Sequence, residues 1–333
     1  MEKAPPDHLI THQEEVCLPV RADMAGMRLD MFLKARLSWR SRASVHRLLA
    51  QRDVRVSGAR RKASYRLKQG ELVVVPCPPP EEDPAAMADI ELNALHEDED
   101  LVVLNKQPHV VVHPAGQHRY TTLINALHLR YRRPGDPEKD IQPKLGHRLD
   151  RETSGVLVVC KSELARRSVS RQFEKGLVAK EYLALAEGEP STDEGMIDAP
   201  LGAAPEGEHA MKRAVRPDGR TARTEYAVAE RLGRISLVRV RLLTGRSHQI
   251  RVHLMHIGHP ILCDKFYGVR ETLRLSDLRP LGPGQEDPVL LDRQALHSWR
   301  MTIEHPGDRR PVTYEAPLPE DMASVLEAAR EGK

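Results

Sequence analysis

Residues 144–162 read KLGHRLDRETSGVLVVCKS, and this stretch places a charged loop directly before a buried strand, the apolar run VLVVC. Asp150 lies just ahead of a Thr-Ser-Gly turn, so a rigid sheet would support its carboxylate at the edge of a loop. His147, Arg148 and Arg151 can add positive charge, which keeps a carboxylate ionised and able to act as a nucleophile or base. An isolated Asp in a turn usually only caps that turn, but the residues around Asp150 favour a catalytic role for its carboxylate.

The region around this stretch, about residues 93–320, predicts a sheet with few helices. Its clearest strand alternates apolar Val238 and Val240 with Arg239 and Arg241, which indicates a sheet covered on one face. Helical stretches such as LARRSVSRQFEKG fall irregularly between the strands, so we expect a mixed or antiparallel sheet rather than the parallel sheet of repeated βαβ units. The candidate strands are 156–160, 182–186, 226–229 and 235–243, and 321–330 predict a terminal helix.

Charge is distributed very unevenly, although the formal net charge of the 333 residues is only +3. Residues 21–76 hold 14 Lys and Arg against four Asp and Glu, whereas residues 81–100 hold nine acidic residues and no Lys or Arg. A concentrated basic segment suits a polyanion such as nucleic acid, because neutralised phosphates release counterions. A solvated Arg-rich surface is the alternative interpretation of the charge alone.

The basic segment also has a recognisable order of elements. Leu29, Leu33 and Leu37 predict a helix over 27–38, SVHRLLAQR predicts a second short helix, and DVRVSGARRK followed by ELVVVP predicts a hairpin and a strand. Over 21–76 this pattern, with R-L-D-x-F-L, R-x-R-A-S, V-x-V-S-G and K-x-G-E, resembles the S4 RNA-binding domain. The resemblance implies that basic side chains on the helix surface and the turn face RNA, namely Arg28, Arg40, Arg42, His46, Arg47, Arg52, Arg60 and Arg61.

Four motifs give the larger region a resemblance to a second family. H-R-L-D-x-x-T-S-G-x-L is the signature around the catalytic aspartate of RluA-type pseudouridine synthases, and residues 147–157 match it position by position. K-E-Y-L-A-L at 180–185 and the long His-rich motif at 243–268 follow in the family's order, as does R-Q-A-L-H-S at 293–298. The departures are small: Asn105, Ser247, Cys263 and Ser298 stand where Asp, Thr, Gly and Ala are usual.

Together the two resemblances predict an α+β chain. A small S4 domain of helices plus a short hairpin sheet precedes a catalytic domain of the pseudouridine-synthase type, with a mixed, largely antiparallel sheet. A Pro-rich stretch, CPPPEEDPAAM, marks the predicted linker. The predicted limits are an N-terminal extension at 1–20, the S4 domain at 21–76, the linker at 77–92, the catalytic domain at 93–320 and a C-terminal helix or tail at 321–333. The stretch 269–292 is longer and more loop-like than expected, and its role is left open.

The second resemblance also implies roles for single residues. Asp150 would be the catalytic nucleophile or base, Tyr182 would stack on uracil or accept the C5 proton, and Arg251 would form an ion pair with Asp150. His147, Arg148, Arg246 and His248 would contact the substrate or the RNA. The residues do not choose between attack of Asp150 at C1′ and removal of the C2′ proton. The isomerisation of uridine requires only one carboxylate, whereas a glycoside hydrolase needs a pair of them. Glu152 is the other acidic residue of this stretch that could complete such a pair.

The implied function is a cofactor-free isomerase that converts a flipped uridine of structured RNA to pseudouridine, with large-subunit ribosomal RNA favoured over tRNA or another RNA. Two other classes stay open: an S4 protein that only binds RNA, and a metal-dependent nucleic-acid hydrolase. A metal site among His248, His253, His256 and His259 is disfavoured, because Arg246 and Arg251 are interleaved with them. No P-loop or dinucleotide-binding glycine motif is present.

Several classes of protein are excluded or disfavoured by composition. No apolar run approaches the length of a membrane-spanning helix, and the N-terminal residues lack the apolar core of a secretory signal, so we expect a cytoplasmic protein. The four cysteines are far apart and form no C-x-x-C pair, which argues against disulfides and a Cys-rich zinc site. The two resemblances imply RNA as the partner. We expect no membrane, disulfide or metal partner and a monomeric chain.

Overall fold

The computed structural model describes residues 10–12, 15–37, 45, 48–50, 54–76, 90–114, 121–133, 136, 139–205, 208 and 211–332. Contacts group these residues into two compact units. The first contains the described residues up to Ile90 together with those of His113–Leu129, and the second contains Glu91–Val112 and Arg130 onward. The predicted domain limits stay predictions, since most of the predicted linker lies outside the described residues.

The first unit is a small sheet packed against a helix. Helix α1 begins at Leu29 and ends at Arg36, inside the predicted span of 27–38, and it buries Leu29, Phe32 and Leu33. These side chains share a core with Val73 and Val75 of the sheet. Most of the second predicted helix lies outside the described residues, although Val45 and residues 48–50 are helical. The strands are Ile10–His12 (β1), Glu15–Pro19 (β2), Arg55–Val56 (β3), Ala59–Arg60 (β4) and Leu72–Pro76 (β5), in the order β1-β2-β5-β3-β4, with a short 3₁₀ turn at Ala22–Met24.

The second unit is built on a ten-stranded sheet. Its path is β11-β14-β15-β10-β18-β9-β7-β6, with β19 paired to β18 and β8 paired to β9. The pair β18 and β9 is parallel, and the other pairs of this sheet are antiparallel. Its strands are Ala94–Glu97 (β6), Leu101–Lys106 (β7), Lys144–Leu145 (β8), Ser154–Cys160 (β9), Ala179–Glu187 (β10), Glu194–Asp198 (β11), Arg223–Arg231 (β14), Ile235–Leu242 (β15), Leu296–Glu304 (β18) and Pro311–Glu315 (β19). The mixed, largely antiparallel sheet of an α+β protein is therefore confirmed.

Short hairpins and helices complete the chain. The hairpins pair Leu201–Ala203 (β12) with Arg213–Val215 (β13), and Leu273–Arg274 (β16) with Val289–Leu291 (β17). The second of these, with a short helix between its strands, forms the stretch 269–292 whose role the sequence left open. The helices are Leu123–Tyr131 (α2), Glu163–Glu174 (α3), Gln249–His256 (α4), Leu275–Leu278 (α5) and Glu320–Glu331 (α6), and α6 confirms the predicted terminal helix. In the part of the chain that is described, every helix is too short or too polar to traverse a bilayer.

Strand β9 sets the position of the loop that carries Asp150. All seven residues of β9 are buried, because β7 and β18 flank the strand and helix α3 covers it. The side chain of Ser162 accepts a hydrogen bond from Ala165 N at 3.0 Å and so caps α3 directly after the strand. Gly155 has φ of +104°, and its missing side chain allows close approach of β18 at Ser298. The loop that precedes β9 is thus attached to a fully buried strand inside the sheet.

Candidate active site

A cavity of about 290 Å³ opens beside the loop that precedes β9. Three elements bring polar side chains to it: the loop contributes Asp150, strand β10 contributes Lys180 and Tyr182, and the start of α4 contributes His248 and Arg251. Lys180 and Tyr182 are two positions apart on one strand, so both project from the same face of the sheet. The cavity is also lined by His147, Arg148, Leu149, Thr153, Phe173, Arg246 and Leu296. Residues distant in sequence therefore form one site.

Asp150 and Arg251 form the ion pair that the resemblance implies. Arg251 Nη1 donates to Asp150 Oδ2 at 2.9 Å, and the two side chains are 7% and 25% exposed, respectively. Among the described residues, Asp150 Oδ1 has no hydrogen-bond partner, so this oxygen is available to a substrate in the cavity. Asp150 therefore lines the cavity with one oxygen fixed by Arg251 and the other without a hydrogen-bond partner in the described part of the chain.

A second carboxylate, that of Asp264, also binds the Arg251 guanidinium. Arg251 Nε and Nη2 donate to the two oxygens of Asp264 at 2.6 and 2.7 Å, and Asp264 also accepts from the backbone N–H groups of Phe266 and Tyr267. Burial lowers the pKa of Arg251, but the hydrogen bonds and charge of Asp264, assisted by Asp150, outweigh burial and raise that pKa overall. Arg251 is therefore a permanent cation with two of its three nitrogens bonded to Asp264.

His248 lies near the same oxygen of Asp150 that Arg251 binds. Its Nε2 lies 4.0 Å from Asp150 Oδ2, and its Nδ1 is 2.8 Å from the hydroxyl of Tyr267. That hydroxyl also accepts from the backbone N–H of Arg213 at 2.7 Å, so its own proton can go to His248. Burial lowers the pKa of His248 to about 4, despite the opposing effect of Asp150, and the imidazole is neutral near pH 7.

Tyr182 is a buried phenol in the wall of the cavity. Only 7% of the residue is exposed, and burial raises the pKa of Tyr182 to about 12, against a smaller opposing effect of its hydrogen bond with Ser298. The phenol is therefore protonated at neutral pH and is a weak base. A flat apolar ring with one hydroxyl is suited to stacking on a nucleobase.

The other residues expected at the substrate side line the cavity in different ways. His147 stacks on Phe173 at 4.6 Å and accepts from the backbone N–H of Val158 at 2.9 Å, and burial lowers its pKa to about 3. Arg148 is exposed, whereas Arg246 Nε donates to the carbonyl of Thr221 at 3.0 Å. His147 is thus tied into the sheet, and Arg148 is the more accessible cation of this group.

The residues predicted to face RNA in the first unit are only partly described. Arg28 forms a two-bond ion pair with Asp30, at 3.1 and 2.8 Å, whereas Arg60 and Arg61 are exposed. The guanidinium of Arg61 lies 4.7 Å from the ring centre of Tyr65. Arg40, Arg42, His46, Arg47 and Arg52 lie outside the described residues, so their predicted contacts stay predictions.

The histidines of the long motif do not converge on one point. His253 is fully buried and bonds Thr224 and the carbonyl of Ala199, whereas His256 is exposed. Within the described ranges, one group with metal-ligand spacing occurs, His96, Asp98 and His305, and none of its members lines the cavity. Both imidazoles lie within hydrogen-bond distance of the same Asp98 oxygen, at 2.6 and 2.9 Å, which accounts for the cluster without an ion.

Sequence reasoning missed two members of the site. No sequence pattern assigns a role to Asp264, and Lys180 stands in the motif at 180–185 without a predicted role. Their importance depends on pairing across the fold, which no local pattern shows. Glu152, the other acidic group of the loop, bonds Arg151, Lys265 and the backbone N–H of Gln294 and does not line the cavity.

Known families match both units. The RNA pseudouridylate synthase family matches residues 100–256, and the S4 domain matches residues 27–73. The chain is 37% identical to ribosomal large subunit pseudouridine synthase D of Nitrosomonas europaea, over 96% of this chain and 89% of that protein. The chain belongs to the RluA-type RNA pseudouridine synthase family and carries an S4 domain. Its activity is that of an isomerase that converts uridine in RNA to pseudouridine.

Further relatives in this family have similar lengths. The chain is 36% identical to an uncharacterized RNA pseudouridine synthase of Bacillus subtilis, over 95% of this chain and 98% of that one. It is 34% identical to ribosomal large subunit pseudouridine synthase D of Vibrio cholerae, with 97% of both chains covered. Among solved structures, human RNA pseudouridylate synthase domain containing 1 superposes with a TM-score of 0.52 at 25% identity, covering 72% of this chain and 95% of that one.

Proposed function

We propose that this pseudouridine synthase acts on large-subunit ribosomal RNA and that Asp150, Arg251 and Tyr182 carry the reaction. The observation that supports the site most strongly is the ion pair of Asp150 and Arg251 in the wall of a cavity, with the second oxygen of Asp150 left available. The relatives named ribosomal large subunit pseudouridine synthase D support the choice of RNA.

The reaction requires the glycosidic bond to break and a new bond to form. The C1′–N1 bond breaks with its electron pair leaving on the uracil ring, while Asp150 either bonds to C1′ or removes the C2′ proton. The ring then turns, and C5 bonds to C1′ as the Asp150–C1′ bond breaks or, in the other route, as the proton returns to C2′. The C5 proton is lost and N1 gains a proton, so uridine and product are isomers. Arg251 keeps Asp150 charged and oriented during these steps.

Tyr182 has the character of a stacking partner more than that of a proton acceptor. The buried phenol, with a pKa raised to about 12 by burial, is a poor base near pH 7. Its position two residues from Lys180 on β10 presents it to a base held in the cavity. The resemblance allows Tyr182 either to stack on uracil or to accept the C5 proton, and we assign it the stacking role.

RNA outside the cavity would be held by positive charge. Arg148 is exposed at the cavity lining, and Arg60 and Arg61 are exposed on the first unit. Each phosphate contact adds about 0.7 to 0.9 to the slope of log affinity against log salt concentration. The double change Arg60→Gln and Arg61→Gln should therefore flatten that slope by roughly 1.4 to 1.8. An unchanged slope would show that these two side chains do not contact phosphate.

The central experiment removes the charge of Asp150. Asp150→Asn should abolish release of tritium from RNA labelled at uridine C5, and RNA affinity should stay within about tenfold, or 1.4 kcal/mol. Glu152→Gln is a matched control, since this carboxylate occupies the same loop but does not line the cavity. Turnover by Asp150→Asn equal to that of the Glu152→Gln control would contradict the assignment.

The choice of RNA needs a separate test. Unmodified large-subunit ribosomal RNA and unmodified tRNA are incubated with the wild-type chain, and pseudouridines are mapped in both. We expect new pseudouridine in the ribosomal RNA, at a loop or a poorly paired position where flipping is least costly. Modification of tRNA alone would contradict the proposed substrate but would leave the isomerase activity in place.

A further inference from the structure

Lys180 is a buried cation without a partner inside the cavity. The residue is only 7% exposed, yet among the described residues no hydrogen bond or ion pair involves its Nζ. The neighbours recorded for Nζ carry no negative charge: the ring centre of Phe173 is 5.9 Å away, a Cβ added at Gly245 would lie at 3.8 Å, and the charge of Lys180 contributes to the lowered pKa of His147. A buried ammonium without an anion is costly, so the site is built for a group that arrives from outside.

A second buried lysine among the described residues of the unit provides a contrast. Lys106 is 1% exposed, and its Nζ donates to three carbonyl oxygens, those of Gln107, Val110 and Arg151, at 2.8 to 3.0 Å. All three donors of that ammonium are therefore used within the fold. Lys180 has the same chemistry and similar burial and lines the cavity, but among the described residues its donors have no partner. Burial alone lowers the pKa of Lys180, with no carboxylate opposing the effect.

From this arrangement we infer that Lys180 binds a carbonyl oxygen of the flipped uracil and stabilises the negative charge that the ring acquires when the C1′–N1 bond breaks. The inference rests on the proposed function. Uracil that leaves with the bonding electron pair carries its charge on N1, O2 and O4, and an ammonium fixed beside it in a poorly hydrated cavity offsets that charge. This holds for both roles of Asp150, because the ring takes the electron pair in each.

Burial favours the base over a phosphate as the group that Lys180 meets. A flipped nucleotide enters base first, so its phosphates stay near solvent, where Arg148 is exposed. Lys180 is nearly buried and shares its strand face with Tyr182, the proposed stacking partner of the base. An ammonium can only donate hydrogen bonds, so it would donate to O4 of uracil, whereas the amino group at the same position of cytosine is itself a donor and would be disfavoured.

The test is Lys180→Met, which keeps the length of the side chain and removes the charge. Wild type and Asp150→Asn run in parallel: the wild type must release tritium and Asp150→Asn must not, which decides the proposed function independently of Lys180. We then expect Lys180→Met to lower kcat about 100-fold, with RNA Kd and its salt slope unchanged. Its Tm should be equal to or higher than that of wild type, since an unpaired buried charge is gone.

Other outcomes would overturn the inference. A kcat within threefold of wild type would exclude a role in the reaction. A raised Kd with a shallower salt slope and unchanged kcat would identify a phosphate as the partner. Lys139→Met is the control, because Lys139 is 79% exposed and pairs with Asp136 on the surface. If Lys180→Met folds poorly, Lys180→Arg is compared with Lys180→Gln, and equal kcat in these two would refute a role of the charge.

Discussion

Replacing Asp264 with Asn should damage both the fold and the reaction, although Asp264 does not line the cavity. Its side chain is fully buried and receives two hydrogen bonds from Arg251, at 2.6 and 2.7 Å. The amide would present N–H groups to one guanidinium nitrogen and would leave the buried Arg251 with a single carboxylate partner, Asp150. Removing one partner of a buried ion pair costs about 3 to 5 kcal/mol, and we expect that loss in the free energy of unfolding.

The loss of Asp264 should also reach the chemistry through Arg251. With only one hydrogen bond to Asp150 remaining, the guanidinium can shift, and a displacement of about 1 Å at a catalytic group can cost roughly 100-fold in rate. Asp193→Asn is the matched control: its pair with Arg231 is also 2.6 Å long, but Asp193 is 85% exposed, so the change should cost less than about 1 kcal/mol.

Urea unfolding of both variants measures the predicted loss of stability, and single-turnover rates measure the predicted loss of activity. If the two variants have equal unfolding free energies and equal rates, burial does not make the Asp264–Arg251 pair more important than the exposed pair, and the reasoning is refuted. A large loss of stability with an unchanged single-turnover rate would show that Asp264 supports the fold only and does not position Arg251.

Two further predictions concern the sheet and the buried histidines. Gly155→Ala should destabilise the protein by at least about 3 kcal/mol, because an added Cβ would overlap backbone atoms of Ser298. Gly233→Ala, also at positive φ but with open space around it, should cost only about 1 kcal/mol, and equal losses in urea unfolding would contradict the role of close approach. Burial lowers the pKa of His297 and of His248 to about 4, so both stay neutral in the folded chain while the unfolded chain protonates them below pH 6.5. Stability is thus lost as pH falls from 6.5 toward 4, by about 1.4 kcal/mol per histidine at pH 5.5, and a urea midpoint that does not change between pH 7.5 and 5.5 would contradict this.

Sequence patterns predicted helices and strands most accurately where a single periodicity of apolar residues covered a segment. The leucines spaced four residues apart in and just after α1, the strict alternation of β15 and the apolar run of β9 each predicted an element whose bounds agree with the structure to within about two residues. The same is true of the C-terminal helix, which has buried residues at the expected spacing. Asp150 was identified because its neighbours formed a contiguous motif, which is visible without any knowledge of the fold.

The tertiary structure decided everything that depends on pairing between distant segments. That Asp150 and Arg251, 101 positions apart, meet at 2.9 Å depends on the loop before β9 lying next to the start of α4. Asp264 could not be distinguished from a metal ligand or a surface acid until its two bonds to Arg251 were visible. Lys180 was one cation among 51 Lys and Arg residues, because sequence gives a side chain's charge but neither its burial nor the absence of a partner. Local patterns fix short-range periodicity and motif identity, whereas electrostatic function depends on distance and desolvation, which exist only once the chain is folded.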